Sequence, residues 1–107
     1  MDRLNAIVQE EVAKYAGSGR GANLILFPLL DDKRQTYGVT AVDYPTREEG
    51  AMVLVLARIV GDKVVIEEDA TDKKLVDALL QRGIPRSQIV LAYDNEPIPD
   101  AERFALD

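Results

Sequence analysis

Hydrophobic residues at the start of the chain recur with the period of an α-helix. Between Asp2 and Ala16 they form one stripe, which consists of Leu4, Ile7, Val8, Val12 and Tyr15. Gly17 ends this pattern and opens the stretch GSGRG. That stretch follows a helix instead of a strand and lacks the Lys-Ser/Thr pair of a phosphate-binding loop, so it is interpreted as a helix end and a turn. The pattern therefore predicts a helix over residues 2–16.

The hydrophobic period changes after Ala22 from that of a helix to that of β-strands. Short apolar or alternating segments between turn residues predict strands at about residues 23–30, 35–44, 51–60 and 63–68. Pro28 cannot donate to a β-ladder, so the first strand should lie at a sheet edge or contain a bulge. Gly61 and Asp62 form a two-residue hairpin loop, and strands joined by such short turns must be antiparallel.

A second helical pattern covers residues 72–82. Its apolar side is formed by Leu75, Val76, Leu79 and Leu80. Asp69 or Thr71 can cap the start of this helix, and Gly83 ends it.

The last elements are a strand over residues 88–93 and an extended, proline-containing tail over residues 94–107. The order of the elements is helix, four strands, helix and strand. This order predicts a single domain, residues 1–107, of the α+β class: a mostly antiparallel sheet of four to six strands with two main helices.

The third predicted strand is apolar at every position from Ala51 to Ala57. An antiparallel strand that faces solvent on one side normally alternates between apolar and polar residues, so this run suggests that both faces are covered. The two helices can cover one face. A partner or a second copy of the chain would then cover the other, and we expect a homo-oligomer, in the simplest case a dimer. The alternative is that the N-terminal helix and the C-terminal tail cover opposite faces of one monomer.

The composition narrows the possible chemistry. The 107 residues include neither cysteine nor histidine, which excludes disulfides, thiolate nucleophiles, imidazole-dependent dyads and the common zinc sites. An enzyme of this composition would depend on carboxylates, Lys, Arg, Tyr or a hard metal ion. The 19 acidic and 13 basic residues give a net charge of −6, and the basic residues are scattered in pairs instead of forming one basic face. Direct nucleic-acid binding is therefore disfavoured.

The aromatic residues and the termini carry no further signal. Phe27, Tyr37, Tyr44 and Tyr93 are not interleaved with basic residues as base-stacking sites require, and we expect them in the core or on the sheet face. The N-terminus lacks the apolar segment of a signal peptide, and no apolar run is long enough to span a membrane. We therefore expect a cytoplasmic protein without membrane association.

One acidic group could carry chemistry. Glu67, Glu68, Asp69 and Asp72 lie where a strand meets a helix, and carboxylate oxygens are ligands that Mg²⁺ and Ca²⁺ prefer. Neighbouring strand residues point to opposite faces, so Glu67 and Glu68 share one cluster only if the strand contains a bulge. Asp69 and Asp72 are already explained as helix N-terminal residues. We predict no catalytic, cofactor-binding or metal site, and no enzyme activity.

The segment from Lys63 to Tyr93, KVVIEEDATDKKLVDALLQRGIPRSQIVLAY, is the most distinctive in the chain. Its pattern V-x-I-x-x-D-x-T, then G-[IV]-P, then IVLA-aromatic resembles the C-terminal half of the XisI family, the fdxN element excision controlling factors found mainly in cyanobacteria. The opening MDRLN and the closing ERFA also fit. The chain departs from the family pattern in two stretches, DNEPIPD and VDYPTREEG, which have neither the family's His-Pro-Pro segment nor its Trp. Any role of those side chains is absent here.

The resemblance implies a XisI-like fold and a non-catalytic accessory role, without a cofactor, in the excision of a DNA element during heterocyst development. It also implies pairing with an XisH-like, nuclease-type partner. A direct DNA-binding excision factor is the alternative, followed by a carboxylate- or metal-dependent hydrolase. We expect the partner to contact Glu67, Glu68, Asp94, Glu96, Phe104 and Leu106. The tail over residues 95–107 should either order on that contact or pack on its own domain or on its dimer mate.

Overall fold

A computed structural model describes residues 3–17 and 23–100. The predictions for residues 1–2, 18–22 and 101–107, including those for Phe104 and Leu106, lie outside the described residues. Two helices and five strands are found in these two ranges: α1 (Leu4–Ala13), β1 (Leu24–Asp31), β2 (Thr36–Asp43), β3 (Met52–Val60), β4 (Lys63–Asp69), α2 (Leu75–Gln81) and β5 (Ile89–Leu91). Short 3₁₀ turns cover Lys14–Ala16, Arg86–Gln88 and Ala92–Asp94.

Within the described ranges the strands form a single sheet in the order β1-β2-β3-β4-β5. Consecutive strands from β1 to β4 pair antiparallel because short turns join them. β5 pairs parallel with β4, since α2 carries the chain back across the sheet between them. The predicted α+β class, with two helices on a mostly antiparallel sheet, is confirmed.

The core lies between the helices and one face of the sheet, which we call the inner face. Val8 and Val12 of α1 and Leu75 and Leu79 of α2 are fully buried. They pack with the alternate, inward-pointing residues of the strands, namely Tyr37, Val39, Val55, Ala57, Val64, Ile66 and Ile89. Full burial of a Val or Leu side chain contributes roughly 1.5–3 kcal/mol, so this layer is the main source of the domain's stability.

Pro28 has the edge position that the sequence predicts. Tyr44 N–H donates to Asn23 O (2.9 Å), so residues 23 and 44 form a hydrogen-bonded pair. In an antiparallel ladder such pairs alternate with non-hydrogen-bonded pairs, and the register of β1 and β2 fixes which is which. Pro28 and Val39 therefore form a non-hydrogen-bonded pair, in which the Pro28 nitrogen faces the free edge. The missing N–H therefore removes no hydrogen bond between β1 and β2. It removes one backbone donor from the free edge of the sheet.

The second helix begins at Leu75, three residues later than predicted. The Asp69 carboxylate is the cause: it accepts hydrogen bonds from Leu75 N–H (2.7 Å) and Thr71 N–H (3.0 Å). These bonds hold the intervening residues in a loop, so Asp72 lies before the helix instead of in its first turn. Asp69 thus satisfies a helix N-terminal donor from outside the helix.

The predicted limits of two further elements also differ from those observed. α1 ends at Ala13 and continues only as a 3₁₀ turn to Ala16, because the chain tightens before Gly17, whose φ is +52°. The last strand is Ile89–Leu91, shorter than the predicted 88–93, because 3₁₀ turns occupy the residues on both sides of it.

Glycine at position 38 is required by a close approach inside the sheet. A Cβ there would lie 2.9 Å from Val55 O and 3.1 Å from a methyl carbon of Leu56. We expect Gly38→Ala to lower the free energy of unfolding by about 1–3 kcal/mol, because the backbone oxygen cannot move without disturbing β3. Gly50→Ala is the matched control, since nothing lies within 4 Å of that Cβ. Urea denaturation of both variants measures the difference. If Gly38→Ala and Gly50→Ala are equally stable, β3 shifts to accommodate the added methyl group, and the expectation is wrong.

Candidate functional site

The acidic junction between β4 and α2 is built as a structural turn. Asp69 is buried, with 5% of its surface exposed, and its carboxylate accepts bonds from Thr71 and Leu75. Lys74 Nζ donates to the backbone oxygen of Asp69 at 2.9 Å. Tyr15 Oη donates to the neighbouring Lys73 O at 2.5 Å, which ties α1 to the same loop. The lone pairs of Asp69 are thus engaged by the loop that it organises.

The four acids predicted as a possible cation site do not converge. β4 does contain a bulge: Ala57 pairs with Ile66 and Leu56 with Glu68, so Glu67 is the extra residue. Glu67 accepts a bond from Arg58 Nε at 2.6 Å, whereas Glu68 Oε1 accepts one from Asp69 N–H at 2.9 Å. Among residues 3–17 and 23–100, no group of three or more acidic side chains could hold a metal ion.

Arg58 on β3 is the centre of an ion-pair network on the sheet face opposite the helices, which we call the outer face. Its guanidinium donates to Glu67 (2.6 Å) and, through two nitrogens, to both carboxylate oxygens of Asp100 (2.8 and 3.0 Å). The arginine side chain is only 20% exposed. The bonds to Asp100, followed by those to Glu67, raise the pKa of Arg58 above its ordinary value despite burial. The fork-shaped contact fixes the end of the described chain on this face.

The first part of the C-terminal tail also packs on its own domain. Glu96 accepts bonds from Leu91 N–H (2.8 Å) and from Arg86 (2.6 Å), and Glu96 N–H donates to Leu91 O (3.1 Å). With Asp100 on Arg58, this places residues 95–100 against β5 and then on the outer face. Of the alternatives stated for the tail, packing on its own domain is the one observed for residues 95–100.

The predicted partner-binding residues fall into two groups. Glu67 forms an ion pair with Arg58, and Glu96 forms one with Arg86, so both carboxylates already have a partner within the chain. Glu68 and Asp94 are exposed, and their carboxylates are the accessible ones of this set. Phe104 and Leu106 lie outside the part of the chain that the structure describes.

Exposed apolar residues lie on the outer face; the sequence predicted such a face for the third strand but not for β1. Phe27 is 45% exposed, Leu29 58% and Val53 41%, and the register places all three on the face opposite the helices. Phe27 was expected in the core or on the sheet face, and only the second of these holds. The signal was available: residues 24–30, LILFPLL, are apolar at every position, as are residues 51–57, and an edge strand can bury only one of its faces.

The arginines expected as scattered surface charges are largely neutralised. Arg34 pairs with Asp31 (2.9 Å), Arg82 with Glu10 and Glu11, and Arg86 with Glu96. A surface that binds phosphates needs cations without such partners. These pairs argue against a nucleic-acid groove formed by Arg34, Arg82 and Arg86.

Three comparisons place the chain among known proteins. The fold matches the crystal structure of a XisI-like protein from Anabaena variabilis ATCC 29413, with a TM-score of 0.70, 22% identity and 81% of each chain covered. It also matches the fdxN element excision controlling factor XisI from the same organism, with a TM-score of 0.69, 23% identity and 90% of this chain and 91% of that one covered. No curated protein matches the chain. At these identities the two structures define the class of fold: a XisI-like α+β domain.

The family follows from the sequence match. The XisI protein family covers residues 1–106, nearly the whole chain, and the protein belongs to that family. The resemblance noted for residues 63–93 is thereby confirmed. In the described ranges, no helix is long and apolar enough to cross a membrane.

Glu11 joins the two helices through a partly buried ion pair. Its side chain is 7% exposed and accepts bonds from Arg82 (2.6 Å) and Lys14 (2.9 Å). Burial is the largest single influence and opposes ionisation, but the combined bonds and charges of Lys14 and Arg82 lower the pKa of Glu11 below its ordinary value of 4.5. Its contribution to stability is therefore complete above about pH 4.5 and is lost as the pH falls through the lowered pKa.

We expect Glu11→Gln to reduce the free energy of unfolding by about 1 kcal/mol at pH 7 and by less in acid, because the variant has no charge to lose. Glu10→Gln is the control. Glu10 also bonds to Arg82 but is 55% exposed, so its substitution should have a smaller effect. Denaturation curves from pH 7 to pH 3 measure the difference. A deficit for Glu11→Gln that is independent of pH would contradict the role of the charge.

Proposed function

We propose that this protein is a non-catalytic controlling factor for the excision of a DNA element, and that it acts by binding an XisH-like, nuclease-type protein. Membership of the XisI family supports the proposal most directly. A structural relative carries the name of an excision controlling factor. The cellular setting that goes with this role is the cytoplasm, and in cyanobacteria it would be heterocyst development.

The chemistry of the chain supports a protein partner better than DNA. The net charge is −6, and Arg34, Arg82 and Arg86 are committed to acidic neighbours. A nuclease-type partner presents basic residues that otherwise contact phosphate. Carboxylates of an acidic protein can occupy such a surface, and complementary charge speeds the encounter and selects the partner.

The lack of catalysis is also part of the proposal. The chain has no imidazole or thiol to act as a base or nucleophile near neutral pH. Asp69, the buried carboxylate of the acidic junction, is engaged by Thr71 and Leu75 and organises a loop. The hydrogen bonds of Asp69 are those of a helix-capping residue, and they are all made within its own loop and helix start.

Glu68 and Asp94 are the carboxylates that we propose for contact with the partner, because both are exposed. Reversing both charges, in Glu68→Lys/Asp94→Lys, should reduce capture of the purified XisH-like protein at least tenfold at low salt and less at high salt. The matched control is Glu48→Lys, an exposed acid in the loop between β2 and β3. A pull-down with each variant gives the comparison.

Two results would count against the proposal. Capture by the charge-reversed variant equal to that by the parent chain removes Glu68 and Asp94 from the interface. No capture by the parent chain removes the partner itself.

A direct DNA-binding role makes a different prediction. A protein that neutralises phosphates loses affinity steeply as salt rises. We expect no gel shift of duplex DNA by this chain even at low salt, because Arg34, Arg82 and Arg86 are paired with acidic residues and the net charge of −6 repels the backbone. A shift that disappears between low and physiological salt would favour the DNA-binding alternative.

A further inference from the structure

The outer edge of β5 has no neighbouring strand among the described residues, because β5 pairs only with β4. The backbone groups of successive strand residues point alternately to the two sides of the strand. Leu91 bonds to Glu96 on the side away from β4, so Ile89 also faces the free edge, whereas Val90 faces β4. Two N–H and two C=O groups therefore point to the side where a sixth strand would bind.

All four of these backbone groups are bonded by two residues of the same chain. Ile89 N–H donates to Arg86 O, and Ile89 O accepts a bond from Arg86 Nη1 (2.7 Å). Leu91 N–H donates to Glu96 Oε1 (2.8 Å), and Leu91 O accepts from Glu96 N–H (3.1 Å). Arg86 Nη2 also donates to Glu96 Oε2 at 2.6 Å. We call Arg86 and Glu96 the clasp, since together they occupy the hydrogen-bonding positions of a neighbouring strand.

The chain around the clasp is folded so that Glu96 returns to β5. A 3₁₀ turn covers Ala92–Asp94, and Asn95 follows it in the left-handed conformation, with a φ of +65°. Pro97 disfavours a helical conformation at Glu96, because the residue before a proline is restricted to extended backbone. This turn ends β5 at Leu91, which is why the strand is shorter than the sequence predicts.

The clasp is a contact that can open without unfolding the domain. Arg86 is 46% exposed and Glu96 35%, and exposed ion pairs contribute little to the stability of a fold. The bond from Leu91 N–H, followed by that from Arg86, lowers the pKa of Glu96 below its ordinary value of 4.5, so the pair is charged at neutral pH. The other edge of the sheet is different, because Pro28 removes a donor there permanently.

We propose that the clasp is an autoinhibitory contact, which holds the β5 edge closed against a second copy of the chain. When the clasp opens, the free groups of Ile89 and Leu91 can pair with the same groups of another β5. A two-fold axis brings identical edges together, and the two strands then run antiparallel. Strand addition of this kind needs an edge whose backbone groups are unpaired, and the clasp removes that condition.

The mass of a variant without the clasp is the first test. Light scattering at micromolar concentration should give Arg86→Ala/Glu96→Ala about twice the mass of the parent chain. Asp31→Ala/Arg34→Ala is the matched control and should keep the parent's mass. Asp31 also accepts bonds from an arginine side chain (2.9 Å) and a backbone N–H (3.1 Å), but in the turn after β1. Both double variants keep the net charge of −6.

Cross-linking tests whether the association uses the β5 edge. The chain has no cysteine, so Ser87→Cys adds a single thiol at an exposed position beside β5. A short bis-maleimide should join two copies of this variant when the clasp is also removed, and should not join them when the clasp is intact. Glu48→Cys, in the loop between β2 and β3, is the control and should not cross-link in either background. Circular dichroism checks that each variant is folded.

Hydrogen exchange of the unmodified chain does not depend on whether a variant folds. The Leu91 amide exchanges only when its bond to Glu96 opens, and salt screens the ion pair that holds Glu96 in place. Its exchange rate should therefore rise roughly twofold or more from low to high salt at constant pH. The Val90 amide, which faces β4, is the internal reference and should not respond in the same way.

Several results would overturn the proposal. A variant without the clasp that keeps the parent's mass at every concentration shows that the edge does not pair when it is open. Association of both double variants alike is an effect of losing any surface ion pair. Association without cross-linking at position 87 uses another surface. Exchange of the Leu91 amide that is independent of salt shows that the ion pair does not hold the edge closed.

Discussion

The buried carboxylate of Asp69 is the constraint on which the rest of the architecture depends. It stands at the end of β4, where its two oxygens accept the backbone donors of Thr71 and Leu75. A buried carboxylate is tolerated only when such bonds compensate its lost hydration. These bonds turn the chain off the sheet and begin α2 at a fixed place. The direction of α2 then brings the chain back to pair β5 parallel with β4, and the inner-face core closes between the two helices and the sheet.

The two faces of that sheet have different roles. The inner face is covered within one chain, because α1 and α2 supply fully buried apolar residues to it. On the outer face, Asp100 packs on Arg58, and the residues that the structure describes leave Phe27, Leu29 and Val53 exposed. We propose the exposed carboxylates Glu68 and Asp94 for contact with a basic partner.

The sequence predicts the fold well, because most of its signals are local. The stripe over α1, the hairpin at Gly61 and the edge position of Pro28 each depend on residues close in the chain. The start of α2 was misplaced because the cap at Leu75 comes from Asp69, six residues earlier, across a loop that no propensity reveals. The position of residues 95–100 was left open between alternatives for a similar reason: the bond between Arg58 and Asp100 joins residues 42 positions apart. The exposed apolar patch depends on which strand lies at the edge, which is a property of the whole sheet.

The central claim is that this acidic protein acts by binding another protein directly. Isothermal titration of the purified chain with a purified XisH-like protein tests it with no other component present. The account predicts saturable heat with a defined stoichiometry, which weakens as salt is raised because opposite charges meet at the interface. A flat titration with the XisH-like protein, together with saturable heat when duplex DNA is titrated instead, would contradict it.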